Sequence, residues 1–508
     1  MDDLVITPPV HSPAEPAAGA FLLAAGLAGA GRDAALLDLS LAFFWRELRL
    51  GRTRDGRGAC DAALDYLLTA PSGYEPEKHR SAVGQLHDRL RCFGARHPGW
   101  RLTLMDLAPP VRVHDPAALA GWLAANPSPF TELWEESLAP VLEAERPRRA
   151  LVSLAYLSQL PAAIDLVRFL DAKGVPRAVG GSLPRSLAAT GAGLDALRQA
   201  LGPLDLTDGS SLLGPGSPRP LLDALAWPRS LGPHRYLSAR PIVPLALSSG
   251  CFWRRCLFCP DRALPYRGVP MGSLERFFES VPREVAAARP VIHLLDSALP
   301  PGRLRRFLPL AKESGASFYG FARPTRHLLR DSLIEAAADA GCLMLQLGVE
   351  SGSGPLLARF DKGVDPAEAE RVTAAVAGAG IRTYLYLLFG LPNETVADLE
   401  ATLELLARNA RDVDFLNLSL FNLPCASELA DRAEEHGIAL GEFPVADAHL
   451  RLYRPFTCGG RSPRDDARAF LKERMLWHPL IRAAHLRTPR WLRAAHLALM
   501  RVPDRLSP

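Results

Sequence analysis

Over roughly the first 225 residues, short apolar runs alternate with longer stretches whose apolar positions recur at helical spacing. Leu4–Thr7 is a short apolar strand stopped by Pro8-Pro9, and Ala17–Ala30 follows as an apolar helix ending near Gly31. Ala34–Leu39 reads as a second strand and Ala150–Leu154 as a third, with a helix from Pro161 to Lys173 behind it. Ala178-Val179-Gly180-Gly181 reads as a further short strand, whose glycines permit close backbone approach to a ligand. This alternation predicts an α/β fold: a doubly wound, Rossmann-like parallel sheet over 1–225. Ligands of such sheets bind beyond the carboxyl ends of the strands, which singles out the loops 8–14, 153–160 and 180–184. Residues 40–145 read as a helical insertion.

Residues 203–240 are rich in Gly, Pro, Ser and Leu without any period, and 226–240 are expected to be a linker. A second alternating series then begins. Ile242–Leu247, Val291–Leu295, Ser317–Phe321, Met344–Val349 and Thr383–Phe389 read as strands. Leu274–Ala287, Gly302–Ser314, Asp331–Ala340, Pro366–Gly378 and Val396–Asn409 read as the helices between and after them. Repeated strand–helix units predict a full or partial TIM-type (βα) barrel over 241–430, with its chemistry at the carboxyl ends of the strands. The remainder, 431–508, is expected to be a helical C-terminal region; its basic, Trp-containing end suits a packed helix pair or a membrane surface.

Composition narrows the class. The 508 residues are too many for one core, and 48% apolar with 22% charged is ordinary for a soluble globular protein. A net charge of +4, spread along the chain, gives no argument for a nucleic-acid partner. The run Ala17–Ala30 is too short to span a bilayer, so no membrane span is expected. The acidic N-terminus opens directly into a strand, against a signal peptide, so a cytoplasmic location is expected. Of the eight cysteines, Cys60, Cys92, Cys342, Cys425 and Cys458 are isolated and read as buried apolar thiols, which leaves no disulfide framework.

The other three stand together in Ser248-Ser249-Gly250-Cys251-Phe252-Trp253-Arg254-Arg255-Cys256-Leu257-Phe258-Cys259, on a Gly-led loop after an apolar strand. Thiolates suit iron–sulfur clusters or zinc. A [4Fe–4S] cube usually takes four cysteines, and no fourth lies nearby, since the next is Cys342. A cube held by three leaves one iron open to a substrate or cofactor. A zinc site would need a further ligand, for which His234 and His293 are the candidates; three incidental thiols are the plainest alternative.

The loop resembles the cluster-binding motif of the radical S-adenosylmethionine (SAM) superfamily, with four rather than three residues between its first two cysteines. The form Cys-x-Trp-x-x-Cys-x-Phe-Cys is similar to that of the branch carrying a cobalamin (B12)-binding domain. The resemblance implies that Cys251, Cys256 and Cys259 hold a [4Fe–4S] cluster and that Phe258 lies beside the cofactor adenine. His293-Leu294-Leu295-Asp296-Ser297-Ala298 resembles the second strand, implying that Asp296 faces the SAM amino group; a helix cap is the alternative. Tyr319-Gly320-Phe321-Ala322-Arg323-Pro324 resembles the third, implying that Arg323 pairs with the SAM carboxylate; a surface arginine is the alternative. Leu347-Gly348-Val349-Glu350-Ser351-Gly352-Ser353 resembles the Gly-x-Glu-Ser element, implying that Glu350 contacts the SAM amino group or ribose. Phe389-Gly390-Leu391-Pro392-Asn393-Glu394-Thr395 resembles the family's strand-to-helix turn, with Glu394 or Thr395 near a helix start.

The N-terminal sheet, in this company, resembles a cobalamin-binding domain in which Ser153, Leu154, Gly180 and Gly181 line the corrinoid and its nucleotide tail. The chain has no Asp-x-His-x-x-Gly, so no histidine is expected as the lower cobalt ligand, and the resemblance implies cobalamin bound without a protein ligand, as in many members of this branch; a degenerate domain that binds nothing is the alternative. The implied cofactors are a [4Fe–4S] cluster, S-adenosyl-L-methionine and cobalamin. The implied chemistry is reductive cleavage of SAM to a 5′-deoxyadenosyl radical, with methyl transfer from cobalamin to an unactivated carbon of a small-molecule or peptide substrate. A flavodoxin or ferredoxin would supply the electron. A cobalamin-dependent rearrangement, a cobalamin-free epimerase or cross-linking enzyme, and a non-catalytic iron–sulfur or zinc module are the competing readings.

Overall fold

Pro8-Pro9 ends the first strand where the residue pattern says it should, and the rest of the N-terminal sheet is built around that strand. The computed structural model describes all residues except 51–57, 59, 71, 192, 208, 214–219, 233–234, 444–449 and 502–508. It divides into two units: Met1–Pro244 with Pro270–Ala288 and Val445–Arg451, and Leu245–Val269 with Arg289–Pro444 and Leu452–Pro508.

In the first unit, β1 (Asp3–Thr7), β2 (Ala34–Asp38), β3 (Arg149–Ser153), β4 (Arg177–Gly180) and β5 (Arg229–Leu231) form one sheet in the order β4-β3-β1-β2-β5. Every pairing is parallel. β1 and β2 are buried along their whole length, which is why they read as continuous apolar runs rather than as alternating ones. The chain steps from β1 to β2 on one side and later returns to β3 on the other, so the strand order reverses between β1 and β3. Residues 40–145 are largely helical, as expected, with one short antiparallel pair, Arg101–Leu102 and Leu107–Ala108.

The expected linker at 226–240 contains structure: β5 pairs in parallel with β2 as an edge strand. It is only three residues long, too short to show a period. The helix expected over Leu274–Ala287 is broken at Pro282 into Met271–Glu279 and Arg283–Ala287. Both pieces belong to the first unit, where Phe277 packs 5.9 Å from Trp227 and 6.2 Å from Phe21, and the Ser273 hydroxyl accepts from Leu225 N–H at 3.0 Å.

The second sheet consists of β6 (Ile242–Leu245), β7 (Val291–Leu294), β8 (Ser317–Ala322), β9 (Cys342–Glu350), β10 (Arg382–Phe389) and β11 (Phe415–Leu420), neighbours in sequence being neighbours in space. Helices Pro301–Ser314, Leu333–Asp339, Pro366–Gly378 and Val396–Arg408 stand between successive strands. This is the strand–helix sequence of a partial TIM-type barrel, with Phe318, Tyr319, Met344, Leu347, Tyr384 and Phe415 of its strands buried on one face or the other. The tail adds helices Pro463–Glu473, Pro479–Arg487 and Ala495–Ala498. No described helix is long and apolar enough to cross a membrane.

Candidate functional site

The thiol loop leaves β6 through Ser248–Ser249, which pair antiparallel with Arg267–Gly268, so the loop is closed at its base. Gly250 turns the chain with φ +68°, and a Cβ there would lie 2.6 Å from the Pro265 carbonyl oxygen. Asp296, just past β7, fastens this base: its carboxylate accepts from Leu247 N–H at 2.9 Å and from the Ser248 hydroxyl. It is 2% exposed, and burial raises its pKa while the bond from Ser248 opposes the rise. Both oxygens are thus taken up by the loop itself. The structure places Asp296 as a tether of the thiol loop. Ser297 adds a second tie, donating to Asp261 at 2.6 Å beyond Cys259.

The four residues between Cys251 and Cys256 are accommodated by Arg254, left-handed at φ 51°, and by Trp253. The Trp253 indole donates to the Asp361 carbonyl at 2.8 Å and fills the space beside Gly363, where a Cβ would sit 1.9 Å from the ring. Phe258 packs edge-on to Phe360 at 6.1 Å and Phe421 at 6.2 Å, against a cluster that includes Leu356, Leu391 and Leu423, and stays half-buried. Its ring is therefore shared with an apolar core and is not a free platform.

Cys256 is buried; Cys251 and Cys259 are partly so. Burial pushes the Cys256 thiol up, with Lys362 and Arg323 pulling it back. Burial, aided by Asp261, pushes Cys259 up to about 12. Among the described residues, no three His, Cys, Asp or Glu side chains converge as they would on a single metal ion. The cysteines of a cube each bond a different iron and need no such point of convergence. As ligands the three thiols fit a three-cysteine cluster: they share one short loop tied down at both ends, and a buried cation stands against one of them. His293, named above as a possible zinc ligand, stacks on Tyr319 at 4.5 Å, and His234 lies outside the described residues.

Arg323, 6% exposed at the end of β8, is that cation. Its guanidinium donates to Cys256 Sγ at 3.9 Å, to the Lys362 carbonyl and to the Gly363 carbonyl at 3.2 Å, and lies 4.4 Å over the Trp253 ring. Burial lowers its pKa, and Cys256, Cys251 and Glu350 restore it. Glu350 ends β9 on a register shift after Gly348 and takes a left-handed φ of 67°, a strained conformation that re-aims its side chain. It pairs with Lys362 Nζ at 2.7 Å. Lys362 is 7% exposed and sits in the loop after the helix Gly354–Arg359. No motif picks it out; its one signal is a lysine directly before the turn glycine, Gly363. A cleft of about 590 Å³ opens beside this group, lined by Trp253, Arg323, His327, Asp365 and Glu368 among others.

The turn after β10 is structural, as the pattern suggests. Thr395 caps the helix Val396–Arg408 in a reciprocal box with Asp398. Glu394 accepts from Gly390 N–H through one oxygen, while its buried Oε1 has no partner. Burial pushes its carboxyl up to about 8. Below pH 4.5 both folded and unfolded chains hold that proton; between 4.5 and about 8 only the unfolded chain releases it, so stability falls as pH rises through this window. Glu394→Gln is expected to match wild type near the acid end and to gain on the order of a few kcal/mol above pH 8, read by denaturant melts at both ends. An identical pH dependence in the variant would dispose of this account.

In the first unit the four expected residues fall at the ends of β3 and β4. Leu154 is wholly buried, and its N–H donates to the Gly180 carbonyl at 2.8 Å. Gly181 takes φ +120°, and a Cβ there would lie 2.4 Å from the Leu154 carbonyl oxygen. What requires the missing side chain is the protein's own backbone, not a ligand. Ser153 is 7% exposed, and the ideal Cβ position of Gly19 lies 3.6 Å from its hydroxyl. Nearer the reversal of strand order are residues that carry no motif. His11, after β1, stacks at 5.8 Å on Tyr156, after β3, and Asp38, at the end of β2, accepts from Tyr236 Oη at 2.9 Å. Cys60, Cys342 and Cys458 are buried as expected, whereas Cys92 is exposed and Cys425 partly so.

Comparison with known proteins agrees with this geometry. Residues 245–406 match the family model of the radical SAM superfamily. No curated protein matches the chain by sequence. The structure of the radical S-adenosylmethionine methyltransferase TsrM from Kitasatospora setae, with cobalamin and a [4Fe–4S] cluster bound, shares the fold. The two are 13% identical, with a TM-score of 0.53, over 99% of this chain and 91% of that one. The same enzyme with tryptophan and a SAM analogue bound gives 0.51 at 13% identity, over 92% and 83%. The cobalamin-dependent SAM radical enzyme OxsB, with aqua-cobalamin bound, is 14% identical with a TM-score of 0.48; the match covers 86% of this chain but only 56% of OxsB. A closed thiol loop at the head of a sequentially ordered parallel sheet is thus matched in fold and in family model, and over residues 245–406 this chain is a radical SAM superfamily domain, of the class that works with a [4Fe–4S] cluster and S-adenosylmethionine.

Proposed function

We propose that the protein is a cobalamin-dependent radical SAM methyltransferase, acting on an unactivated carbon of a small-molecule or peptide substrate. The observation that carries this is the pairing, in one chain, of the Cys251–Cys256–Cys259 loop with an N-terminal parallel sheet whose strand order reverses between β1 and β3, the place where such sheets bind ligands. The fold shared with TsrM, a methyltransferase solved with cobalamin, supports the same reading. When bound, a reduced cluster would supply the electron that cleaves SAM, and cobalamin would supply a methyl carrier.

The chain's own residues do the holding. Cys251, Cys256 and Cys259 would ligate three irons, and Asp296 and Ser297 keep their loop in place. Arg323 lies against Cys256 and balances thiolate charge in a buried setting. Glu350, aimed by its bulge and held by Lys362, offers a carboxylate to an ammonium or to vicinal hydroxyls. An external one-electron donor of the flavodoxin or ferredoxin kind completes the requirement.

Anaerobic reconstitution tests this directly. Iron, sulfide and cobalt are measured per chain, and SAM is then followed to 5′-deoxyadenosine and S-adenosylhomocysteine. Bound cobalt with S-adenosylhomocysteine formation is expected. Bound cobalt without it points to a rearrangement, and iron without cobalt to a cobalamin-free radical enzyme; either outcome overturns the proposal.

A further inference from the structure

One face of the second sheet packs on helices, and the other lines the barrel. Phe318 of β8 meets Phe307 of the helix Pro301–Ser314 at 5.5 Å, so Phe321 and Arg323 turn the other way, inward. Strand register carries that inner face across the sheet: Phe321 pairs with Gln346, Gln346 with Tyr384, Gly348 with Tyr386, and Tyr386 with Asn417. Gly348 joins it to the ion pair described above, since a Cβ there would lie 3.2 Å from Glu350 Oε1 and 3.3 Å from Lys362 Nζ. Phe321, Tyr386 and Asn417 stay only half-buried, so solvent reaches this face. The sheet does not close on itself, because β6 and β11 are both edges.

The fold does not use up the polar atoms of this face. Gln346, 1% exposed, donates through Nε2 to Tyr386 Oη at 2.9 Å, and its Oε1 is buried with no partner. Tyr384, wholly buried on the next strand, has an Oη that makes no hydrogen bond either. Burial raises the pKa of both tyrosines, so both hydroxyls keep their protons, while Arg493 draws that of Tyr384 back. Buried polar groups are nearly always satisfied, and two orphans in register on neighbouring strands mark a place where something binds. Arg493 reaches it from the tail, which is fastened along the edge strand β11. There Arg487 donates to the Val413 and Asp414 carbonyls, each at 3.2 Å, and the Thr488 hydroxyl accepts from Leu416 N–H at 3.0 Å. The exposed Arg493 guanidinium donates to Asn417 Oδ1 at 2.8 Å and to the Pro489 carbonyl at 3.2 Å, and it has no carboxylate partner among the described residues.

We infer that Arg493, Tyr384 and Gln346 seat the substrate, and that the substrate carries a carboxylate with an N–H beside it, as an amino acid or the last residue of a peptide does. Arg493 and the Tyr384 hydroxyl donate to the carboxylate, and Gln346 Oε1 accepts from the N–H. The remainder of the substrate lies against the rings of Phe321 and Tyr386, whose centroids are 4.7 Å apart, and runs toward Gly348 and Glu350. This rests on the reading above, in which the chemistry takes place beside Glu350, and it names the class of molecule brought there.

The test uses the full-length, cluster-loaded protein, incubated with hydroxocobalamin and desalted. The probes are mixtures of the common L-amino acids, of their N-acetyl derivatives, and of the carboxamides of both, which keep the N–H and lose the carboxylate. Saturation-transfer NMR picks out the bound members, and titration gives their Kd. At least one acid is expected to bind, and its carboxamide at least about tenfold more weakly. A free amino acid points to a small-molecule substrate, an N-acetyl derivative to the end of a peptide; either supports the seat. Arg493→Gln is expected to weaken binding by about tenfold to a hundredfold, and Arg493→Lys by less. Tyr384→Phe should melt no lower than wild type, because the hydroxyl makes no hydrogen bond, yet bind about three- to tenfold more weakly. No bound acid, carboxamides bound as tightly as acids, or undiminished binding in Arg493→Gln each overturn the inference. The comparison of acid with carboxamide on wild-type protein decides the question even if no variant folds. Cobalt is measured on the same samples. Retained cobalt with no bound probe sinks this seat and leaves the cobalamin reading standing; bound probe without cobalt does the reverse.

Discussion

Cys256→Ala protein is expected to fold as the wild type does, to lose the iron and sulfide of reconstitution, and to cleave SAM no faster than cluster-free protein. The thiol is a small part of what holds the loop. Removing it deletes one 3.9 Å contact to Arg323, which keeps the Lys362 and Gly363 carbonyls and the Trp253 ring. The shift in melting temperature of the unreconstituted protein should therefore stay within about a few degrees. The cluster has no such reserve, because no fourth cysteine lies near enough to substitute. Cys342→Ala serves as the control: that thiol is buried in β9, and its loss should lower stability while leaving iron content intact. Wild-type iron and SAM cleavage in Cys256→Ala would remove the loop from the chemistry altogether.

Glu350→Gln is expected to weaken SAM binding by about tenfold to a hundredfold, the scale of a charge-assisted hydrogen bond turned neutral. It should also destabilise the protein, since Lys362 Nζ would lose its carboxylate while its side chain stays only 9% exposed. The cost of a stranded buried cation is about 3–5 kcal/mol; with an amide oxygen still at the site, about 1–3 is expected. Adding Lys362→Met should restore stability without restoring SAM binding. Equilibrium dialysis on cluster-loaded protein reads the first effect and denaturant melts the second. Undiminished SAM affinity in Glu350→Gln would take Glu350 out of the cofactor site; equal stability of the single and double variants would show that Lys362 is not held by it.

The strands that were easiest to anticipate are near-continuous apolar runs bounded by Pro or Gly, such as Asp3–Thr7, buried throughout, and Arg382–Phe389, because such a run leaves few alternatives. Phe415–Leu420 escaped because Asn417 and Ser419 interrupt its apolar run, and Arg229–Leu231 because three residues show no period. The thiol loop was legible because the chemistry requires its residues to be close in sequence. Lys362 was not: its partner Glu350 lies across a helix, and a lone lysine is an ordinary surface residue until burial is known. Asp296 was found at the right strand end, but only the fold reveals that its oxygens accept from Leu247 N–H and the Ser248 hydroxyl and so fasten the thiol loop.

The central position of β1 also bears on synthesis. β1 is made before both of its neighbours, Ala34–Asp38 and Arg149–Ser153, and the far edge of Ala34–Asp38 waits for Arg229–Leu231. Until Arg149–Ser153 has been made, these two strands form an apolar ribbon with both edges open, a template for pairing with other nascent chains. Closing the loop between β1 and β3 costs little more for its length, because the entropy of closure grows only logarithmically. The 40–145 helices fit this order of events: they form from local contacts, which need no distant partner, while the third strand is still being made. A pause in translation just after residue 38 would then be more damaging than one after 153, when β1 already has both neighbours.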